Sequence, residues 1–287
     1  MKKNLFNLSV LLILMVSVTS CSKDDGPPVV TLEVDTIGLE NLTSGSTYQG
    51  WLIVDGVSKP TNKFTNVSQT VQLTVLESDA QDATGFYITV EGVGDNDNLP
   101  SDAIILSGTF NGNSATLTFD DVVGDLSNIS GELHLATYTD TDMNNDQFGV
   151  WFSQANNAPG LVLPVLKAGW KYEGWVNFGN KVVSTGTFTS TSETDDANFF
   201  KGSGGTVPNY PGEDFLFLPS SFPLTGVTFP ANVTNKNVFI TIEPFEDRDP
   251  APFYIKPLSV TTGANIGAEN PYTMLVDSRE PSGRVVR

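Results

Sequence analysis

One segment of the chain occurs twice. Leu42-x-x-Gly45-x-x-Tyr48-Gln49-Gly50-Trp51 matches Leu166-x-x-Gly169-x-x-Tyr172-Glu173-Gly174-Trp175, and Phe64 matches Phe188, all at a spacing of 124 residues. Farther on, Tyr87-Ile88-Thr89-Val90-Glu91 matches Phe239-Ile240-Thr241-Ile242-Glu243 at a spacing of 152, with Asp95/Asp247, Asp97/Asp249 and Pro100/Pro252 in step. An internal repeat is one structural unit used again, so it constrains both copies to the same fold. The two spacings differ by 28 residues, which places an insertion in the second copy between Phe188 and Val238. That window holds Lys201-Gly202-Ser203-Gly204-Gly205 and Tyr210-Pro211-Gly212-Glu213-Asp214-Phe215, and it reads as a long surface loop.

The repeated unit reads as strands. Val30, Leu32 and Val34 alternate with Thr31, Glu33 and Asp35; Val71, Leu73 and Val75 with Gln72 and Thr74; Ala115, Leu117 and Phe119 with Thr116 and Thr118; Ile240 and Ile242 with Phe239, Thr241 and Glu243. Side chains of a strand point to opposite faces in turn, so this is the pattern of half-buried strands. Clusters of turn residues separate them: Asp95 to Pro100, Asn111-Gly112-Asn113 and Gly202 to Pro208. No amphipathic helix of ten or more residues stands out. The expectation is an all-β protein of two tandem antiparallel β-sandwich, Ig-like domains. The first spans 29–125 and the second 126–264, followed by a polar C-terminal tail over 265–287 that includes one strand, Tyr272 to Val276.

The N-terminus reads as an address. Lys2 and Lys3 precede an apolar stretch, Leu8 to Val18, broken only by Ser9 and Ser17. It is too short to span a bilayer, which needs about 20 apolar residues, and has the length of a signal-peptide core. Val18-Thr19-Ser20-Cys21 resembles the bacterial lipoprotein lipobox, which implies a signal peptide over 1–20, cleavage before Cys21, and lipidation of that residue. More than one acyl chain is needed to hold a protein firmly on a membrane. Cys21 is the only Cys, so the mature chain holds no internal disulfide and no Cys-based zinc site. Residues 21–28 form an acidic, Pro-stiffened tether. Ser22-Lys23-Asp24-Asp25 resembles the surface-export tags of some Gram-negative lipoproteins, which implies a lipid anchor in the outer membrane and display at the cell surface.

Charge excludes one class of partner. The chain carries 33 acids against 15 Lys and Arg, for a net charge of -18, and loss of Lys2 and Lys3 with the leader takes it to -20. Sequence-independent nucleic-acid binding depends on Lys and Arg neutralising phosphates, so no nucleic-acid partner is expected. The membrane is reached through the lipid anchor and not through basic residues.

The repeated signature has a mechanical reading. The Gly sits in a turn, Tyr and Trp begin a strand, and the Gly between them lets a neighbouring ring come close. Tyr48/Trp51 and Tyr172/Trp175 serve either as an aromatic platform for a ligand or as core, with core the commoner role in sandwich strands. Trp51, Trp175 and Tyr210 are the aromatic contact candidates. Leu-x-x-Gly-x-x-Tyr-x-x-Trp, a Gly-x-Phe and a strand ending in Glu-Pro together resemble the extracytoplasmic domain of anti-sigma-K factors. The second copy matches better, with Ser184-Thr185-Gly186-Thr187-Phe188 and Ile242-Glu243-Pro244; the first has Pro60-Thr61-Asn62-Lys63-Phe64 and Gly92 in their places. A member of that family would also have a transmembrane helix and a cytoplasmic sigma-binding segment with a zinc-type His/Cys motif. This chain has neither, so the resemblance implies reuse of the outer domain.

Chemistry-bearing motifs are sparse. His134, the only His, reads as a solvent-facing strand residue opposite Leu133 and Leu135, and no Gly-x-Ser-x-Gly accompanies it. Asp140, Asp142, Asn144 and Asp146 begin a calcium-loop pattern, but Asn145 stands where that motif needs Gly and Trp151 where it needs Glu. They are weak metal candidates, with calcium the only cofactor in view; otherwise the segment is a polar hairpin loop. Glu91 and Glu243 end equivalent strands, and a glycosidase would need two carboxylates facing each other across a cleft. The expectation is a non-catalytic binding or structural module with a protein or glycan ligand, contacted at a cleft between the repeats or at the insertion near Tyr210. A sensory role allied to anti-sigma signalling and a carbohydrate-active enzyme are the alternatives.

Overall fold

A computed structural model describes residues 26–42, 45–245 and 250–287. The leader, Cys21, most of the tether, and Glu246, Asp247 and Asp249 lie outside the described residues. The protein is nearly all-β, and its paired strands run antiparallel in several sheets. The described helices are short: Glu77–Asp82 and a single 3-10 turn, Asp146–Phe148. Among the described residues no helix is long and apolar enough to cross a membrane.

The two signature segments adopt the same backbone. The first Trp strand, Thr47–Val54, lies between Val57–Phe64 and the first Glu strand, Gly85–Glu91, which pairs onward with Ile104–Thr109. The second Trp strand, Trp170–Asn177, lies between Val182–Phe188 and the second Glu strand, Asn237–Pro244, which pairs onward with Leu258–Thr261. The registers coincide. Tyr48 faces Phe64 and Val90, as Tyr172 faces Phe188 and Ile242. Each Trp strand shifts register against its hairpin partner, between Gln49 and Trp51 in one and between Gly174 and Trp175 in the other. Such a bulge re-aims the side chains after it. Tyr and Trp, three residues apart and so on opposite faces, are both buried in each copy because the Trp strands are covered on both faces.

Close approach explains the glycine between them. A Cβ on Gly50 would stand 2.7 Å from Phe86 Cζ and 2.8 Å from Leu73 Cδ1; on Gly174 it would stand 2.9 Å from Phe152 Cε2 and would also strike Thr185 Oγ1. An aromatic ring thus rests on bare backbone at the same position in both copies. Gly45 and Gly169, in the turns before the strands, have φ of 94° and 85°, a region that only glycine enters freely.

Alternation in the outer strands follows the sequence pattern: Val71–Leu76 is buried at every second residue. The central Glu strands differ. Gly85–Glu91 is buried throughout, and Asn237–Pro244 at all but its first residue. Both are covered on both faces, so their polar Thr and Glu lie inside. Most of the buried hydrophobic residues, from both copies, form one continuous cluster, which does not include Trp51, Trp175 and the rings stacked on them.

The first and last described strands meet in one sheet. Its order is Val71–Leu76, Val29–Ile37, Ser282–Val286, Ser114–Leu117, so the final strand sits between the first and one from the middle of the chain. Residues 265–287, expected to be a polar tail with one strand, carry Tyr272–Thr273, Leu275–Val276 and this sheet strand, with Val285 fully buried. Arg287 pins the end: its guanidinium donates to the carbonyls of Ala83 at 2.8 Å and Gly112 at 3.0 Å and lies 4.4 Å from the Phe110 ring centre. The insertion likewise departs from the expected surface loop. It contributes strand Gly212–Asp214, paired with Gly149–Trp151, and buries Phe200, Tyr210, Phe215 and Leu216. Its many aromatics give it apolar surface that a solvated loop lacks.

Deleting residues 282–287 leaves Val29–Ile37 and Ser114–Leu117 with unpaired edges. The expected outcome is aggregated or partly unfolded protein by size exclusion and circular dichroism; a truncated chain that melts like the full one would contradict it. Gly50→Ala and Gly174→Ala overpack equivalent sites and are expected to lower stability by about 1–3 kcal/mol each in urea unfolding.

Candidate functional site

Each copy contains the same buried hydrogen-bond chain. Trp51 Nε1 donates to Thr89 Oγ1 at 2.8 Å, the Thr89 hydroxyl donates to Glu91 Oε1, and the Ser101 amide donates to the same oxygen at 3.4 Å. In the second copy Trp175 Nε1 donates to Thr241 Oγ1 at 2.7 Å, the Thr241 hydroxyl donates to Glu243 Oε1, and the Phe253 amide donates there at 2.9 Å. Each indole also stacks on the ring opposite it, Tyr87 or Phe239, with centroids 6.3 and 6.5 Å apart. The aromatic candidates are therefore interior residues: Trp51, Trp175 and Tyr210 are 0%, 3% and 5% exposed. No ligand platform is available at these rings. Glu91 and Glu243 each tie a following loop to the end of their own strand.

A cleft of about 650 Å³ opens where the two copies meet. The first copy supplies Glu91 and the loop after it, through Asp95, Asp97 and Leu99 to Ala103; the second supplies Gly169, Pro244 and Phe245. The junction is packed tightly beneath the cleft. The Trp170 indole donates to Ile104 O at 3.0 Å and the hydroxyls of Tyr48 and Tyr254 lie 3.0 Å apart, while within the second copy the Phe245 amide donates to Gly169 O at 2.7 Å. A Cβ on Gly169 would run into the Asp102–Ala103 backbone.

Two carboxyls of the cleft act on each other. Glu91 is fully buried, and burial, aided by the Asp95 carboxyl, raises its pKa above the ordinary carboxylate value against the pull of Thr89 and Ser101. Burial also pushes Asp95 upward, but hydrogen bonds from the Glu91 carboxyl and the Asp97 amide and the Lys63 ammonium bring it below its usual value. The two carboxyls thus shift in opposite directions, Glu91 upward and Asp95 downward.

The other titratable cluster lies between the segment 134–153 and the insertion. His134, expected at the surface, is fully buried: Nδ1 lies 3.1 Å from Ser153 Oγ, and Nε2 lies 2.8 Å from the Tyr138 hydroxyl. Burial lowers its pKa to about 4, so the imidazole is neutral. Ser153 is likewise buried, so the Ser–His contact presents no nucleophile to solvent. His134 is enclosed by Ser153, Tyr138 and Trp151, tertiary contacts that local alternation does not encode. Asp214 sits beside it and accepts from Trp151 Nε1, the Tyr138 and Thr139 amides and the Thr139 hydroxyl, at 2.6–2.9 Å. This anchors the insertion. Burial pushes Glu213 up to about 9 and Asp195 up to about 7; Asp195 accepts from the Gly212 amide at 2.8 Å. Sequence reasoning missed these acids. For Glu213 and Asp214 the one signal is their setting, Tyr210-Pro211-Gly212-Glu213-Asp214-Phe215-Leu216, where aromatics flank carboxylates.

The Asp140 loop uses its oxygens internally. Asp140 accepts from the Asp142 amide at 3.2 Å and Asn145 Nδ2 at 2.5 Å, Asp142 from the Asn144 amide at 2.9 Å, and Asp146 from the Thr137 amide at 3.1 Å. Among the described residues no three His, Cys, Asp or Glu side chains gather as metal ligands.

No family model, curated protein or solved structure matches the chain.

Two outcomes follow from the buried groups. Trp51→Phe and Trp175→Phe each leave a buried Thr hydroxyl without its donor, and both are expected to destabilise by a similar amount, about 1–3 kcal/mol in urea unfolding. Unequal losses would show that the chains are not equivalent. Glu213 has a folded pKa above its unfolded value of 4.5, so the folded state keeps a proton that the unfolded chain releases between pH 4.5 and about 9. Stability is therefore greatest below that window and is lost as pH rises through it. Thermal melts from pH 5 to pH 9 should show the decline, and Glu213→Gln should flatten it. His134 acts with the opposite sign, removing stability as pH falls from 6.5 through about 4.

Proposed function

We propose that the protein is a non-catalytic binding module, lipid-anchored through Cys21 and displayed on the outer surface of the outer membrane. Its body is read as two tandem Ig-like β-sandwich copies that resemble the extracytoplasmic domain of anti-sigma-K factors. The observation that carries the reading is the cleft at their junction, which draws its walls from both copies and is of the size that small ligands or peptide side chains fill. Neither copy alone would form it. The conspicuous polar chemistry elsewhere, His134–Ser153 and Asp214, is sealed inside and serves packing. Acidic loops on a rigid scaffold, with apolar side chains at the rim, suit recognition of a protein or glycan.

The address and the site are tested separately. Whole-cell protease shaving with mass spectrometry is expected to release peptides from the wild type, whereas Cys21→Ala should leave the membrane fraction; protection of the wild type in intact cells would refute surface display. Gly92 lines the cleft and a Cβ there meets nothing within 4 Å, so Gly92→Phe plugs the cleft without disturbing the fold. Ligands found on peptide and glycan arrays are expected to be lost in that variant, and retention of every one would refute the cleft as the binding surface.

A further inference from the structure

The insertion closes against the rest of the chain along two seams, and buried acids lie in both. On one side its strand Gly212–Asp214 pairs with Gly149–Trp151, the Gly202 amide donates to Thr139 Oγ1 at 2.7 Å, and Asp214 takes the four donors described above. On the other side it covers Val182–Phe188, the edge strand of its sheet. There the Asp196 amide donates to Thr187 O and the Thr187 hydroxyl to Asp196 Oδ2, both at 2.8 Å, and a Cβ on Gly186 would stand 2.7 Å from Asp195 Cγ. Asp195 joins the seams by accepting from the Gly212 amide at 2.8 Å and the Ala197 amide at 3.3 Å; Glu213 accepts from the amides of Asp214 at 3.0 Å and Phe200 at 3.4 Å. Asp195, Glu213 and Asp214 are 7%, 1% and 0% exposed, and among the described residues none of them is in an ion pair.

The donors to these carboxyls are amides, an indole and a hydroxyl, all neutral. The titratable groups around them are mostly other acids. Asp195 and Asp214 flank Glu213, Asp196 stands beside Asp195, and past Asp214 the Tyr138 phenol meets Tyr210 and Asp146. His134, bonded to Tyr138, is neutral and faces the charge of Glu269. A buried carboxylate without a countercharge is costly, and a second one beside it costs more. Burial therefore holds Asp195 up to about 7 and Glu213 up to about 9, and it raises Asp214 against the pull of its donors. Freed into water, Asp195 and Glu213 return to 3.8 and 4.5. The closed insertion thus keeps protons that an open one releases, so closure is favoured at low pH and weakens as pH rises through about 7 and then about 9.

We propose that the insertion is a pH-released cover, closed while Asp195 and Glu213 are protonated and lifted from both seams, with the sheets beneath it intact, once they ionise and pass their protons to solvent. Lifting leaves the edge of Val182–Phe188 unpaired and uncovers Phe200 and Phe215, which are buried when the cover is closed. An unpaired edge is a template for another strand. His134 stays neutral above pH 6 and takes no part in the release. Neither the cleft nor the lipid anchor enters into it.

Thermal melts follow the whole fold, whereas amide exchange resolves the insertion from the sheets. Exchange of the mature chain is followed by mass spectrometry at pH 6 and pH 9, each corrected for the intrinsic rate. Opening rises by about tenfold per pH unit for each group that is protonated when closed and ionised when open. Protection of residues 195–215 is therefore expected to fall at least about 100-fold between the two pH values. At pH 9 the amides of Val29–Ile37 and Ser282–Val286 should remain well above the insertion in protection. Binding of a dye specific for apolar surface should rise over the same range and return to its starting level at pH 6. Glu213→Gln, checked for fold by circular dichroism, should limit the fall to about tenfold, the share left to Asp195. Asp195→Asn should trim the fall by about tenfold and keeps the test available if Glu213→Gln misfolds. Four results would overturn the inference: an insertion equally protected at both pH values, an insertion and sheets that exchange alike at pH 9, a flat dye signal, or a fall unchanged in both variants.

Discussion

A tryptophan that reaches across a strand pair to a buried threonine, which in turn holds a glutamate, organises each copy of the repeat. The Trp indole, the Thr hydroxyl and the Glu carboxylate lie on adjacent strands, and the chain ends on a backbone amide of the loop that follows. Buried polar groups must be paired. Once the Glu strands are covered on both faces, Thr89, Glu91, Thr241 and Glu243 have no water to turn to, and the chain pairs each Thr hydroxyl with one oxygen of its Glu. It also fixes where the loop after each Glu strand begins, and in the first copy that loop is the wall of the cleft.

The junction follows from this. Glu91 directs its loop toward the turn at Gly169, where the lack of a side chain lets backbone meet backbone. Phe245, one residue past the second Glu strand, is held by Gly169 and projects into the same space. Equivalent positions of the two copies therefore play different parts: one Glu sits on the floor of the cleft, while the strand of the other supplies its rim. Duplication gives a surface that no single copy has.

The glycine–aromatic contact shows what a repeat reveals. Tyr-x-Gly-Trp names a strand, and the Gly names a place where something comes close; the register, the bulge and the Tyr hydroxyl bonds to Glu40 O and Pro164 O, both at 2.9 Å, then recur in each copy. The insertion was not readable in that way. Its Gly and Pro content signals loop, but its Phe and Tyr side chains outweigh that signal by burying themselves, Tyr210 against Trp151 and Phe200 against Phe215, Phe222 and Phe229. Local composition reports chain stiffness and turn chemistry; it does not report what a distant segment will cover.

The sequence by itself determined the strands, the duplication and the equivalence of the two Trp segments, because side-chain alternation and spacing are local properties that each copy states independently. Tertiary structure alone decided which aromatics are hidden, that the last strand completes the first sheet, that His134 is enclosed, and that Glu91 and Asp95 meet at the edge of a cleft. Those outcomes depend on contacts between residues far apart in the chain, whose free energy comes from burial and pairing that no single segment can express.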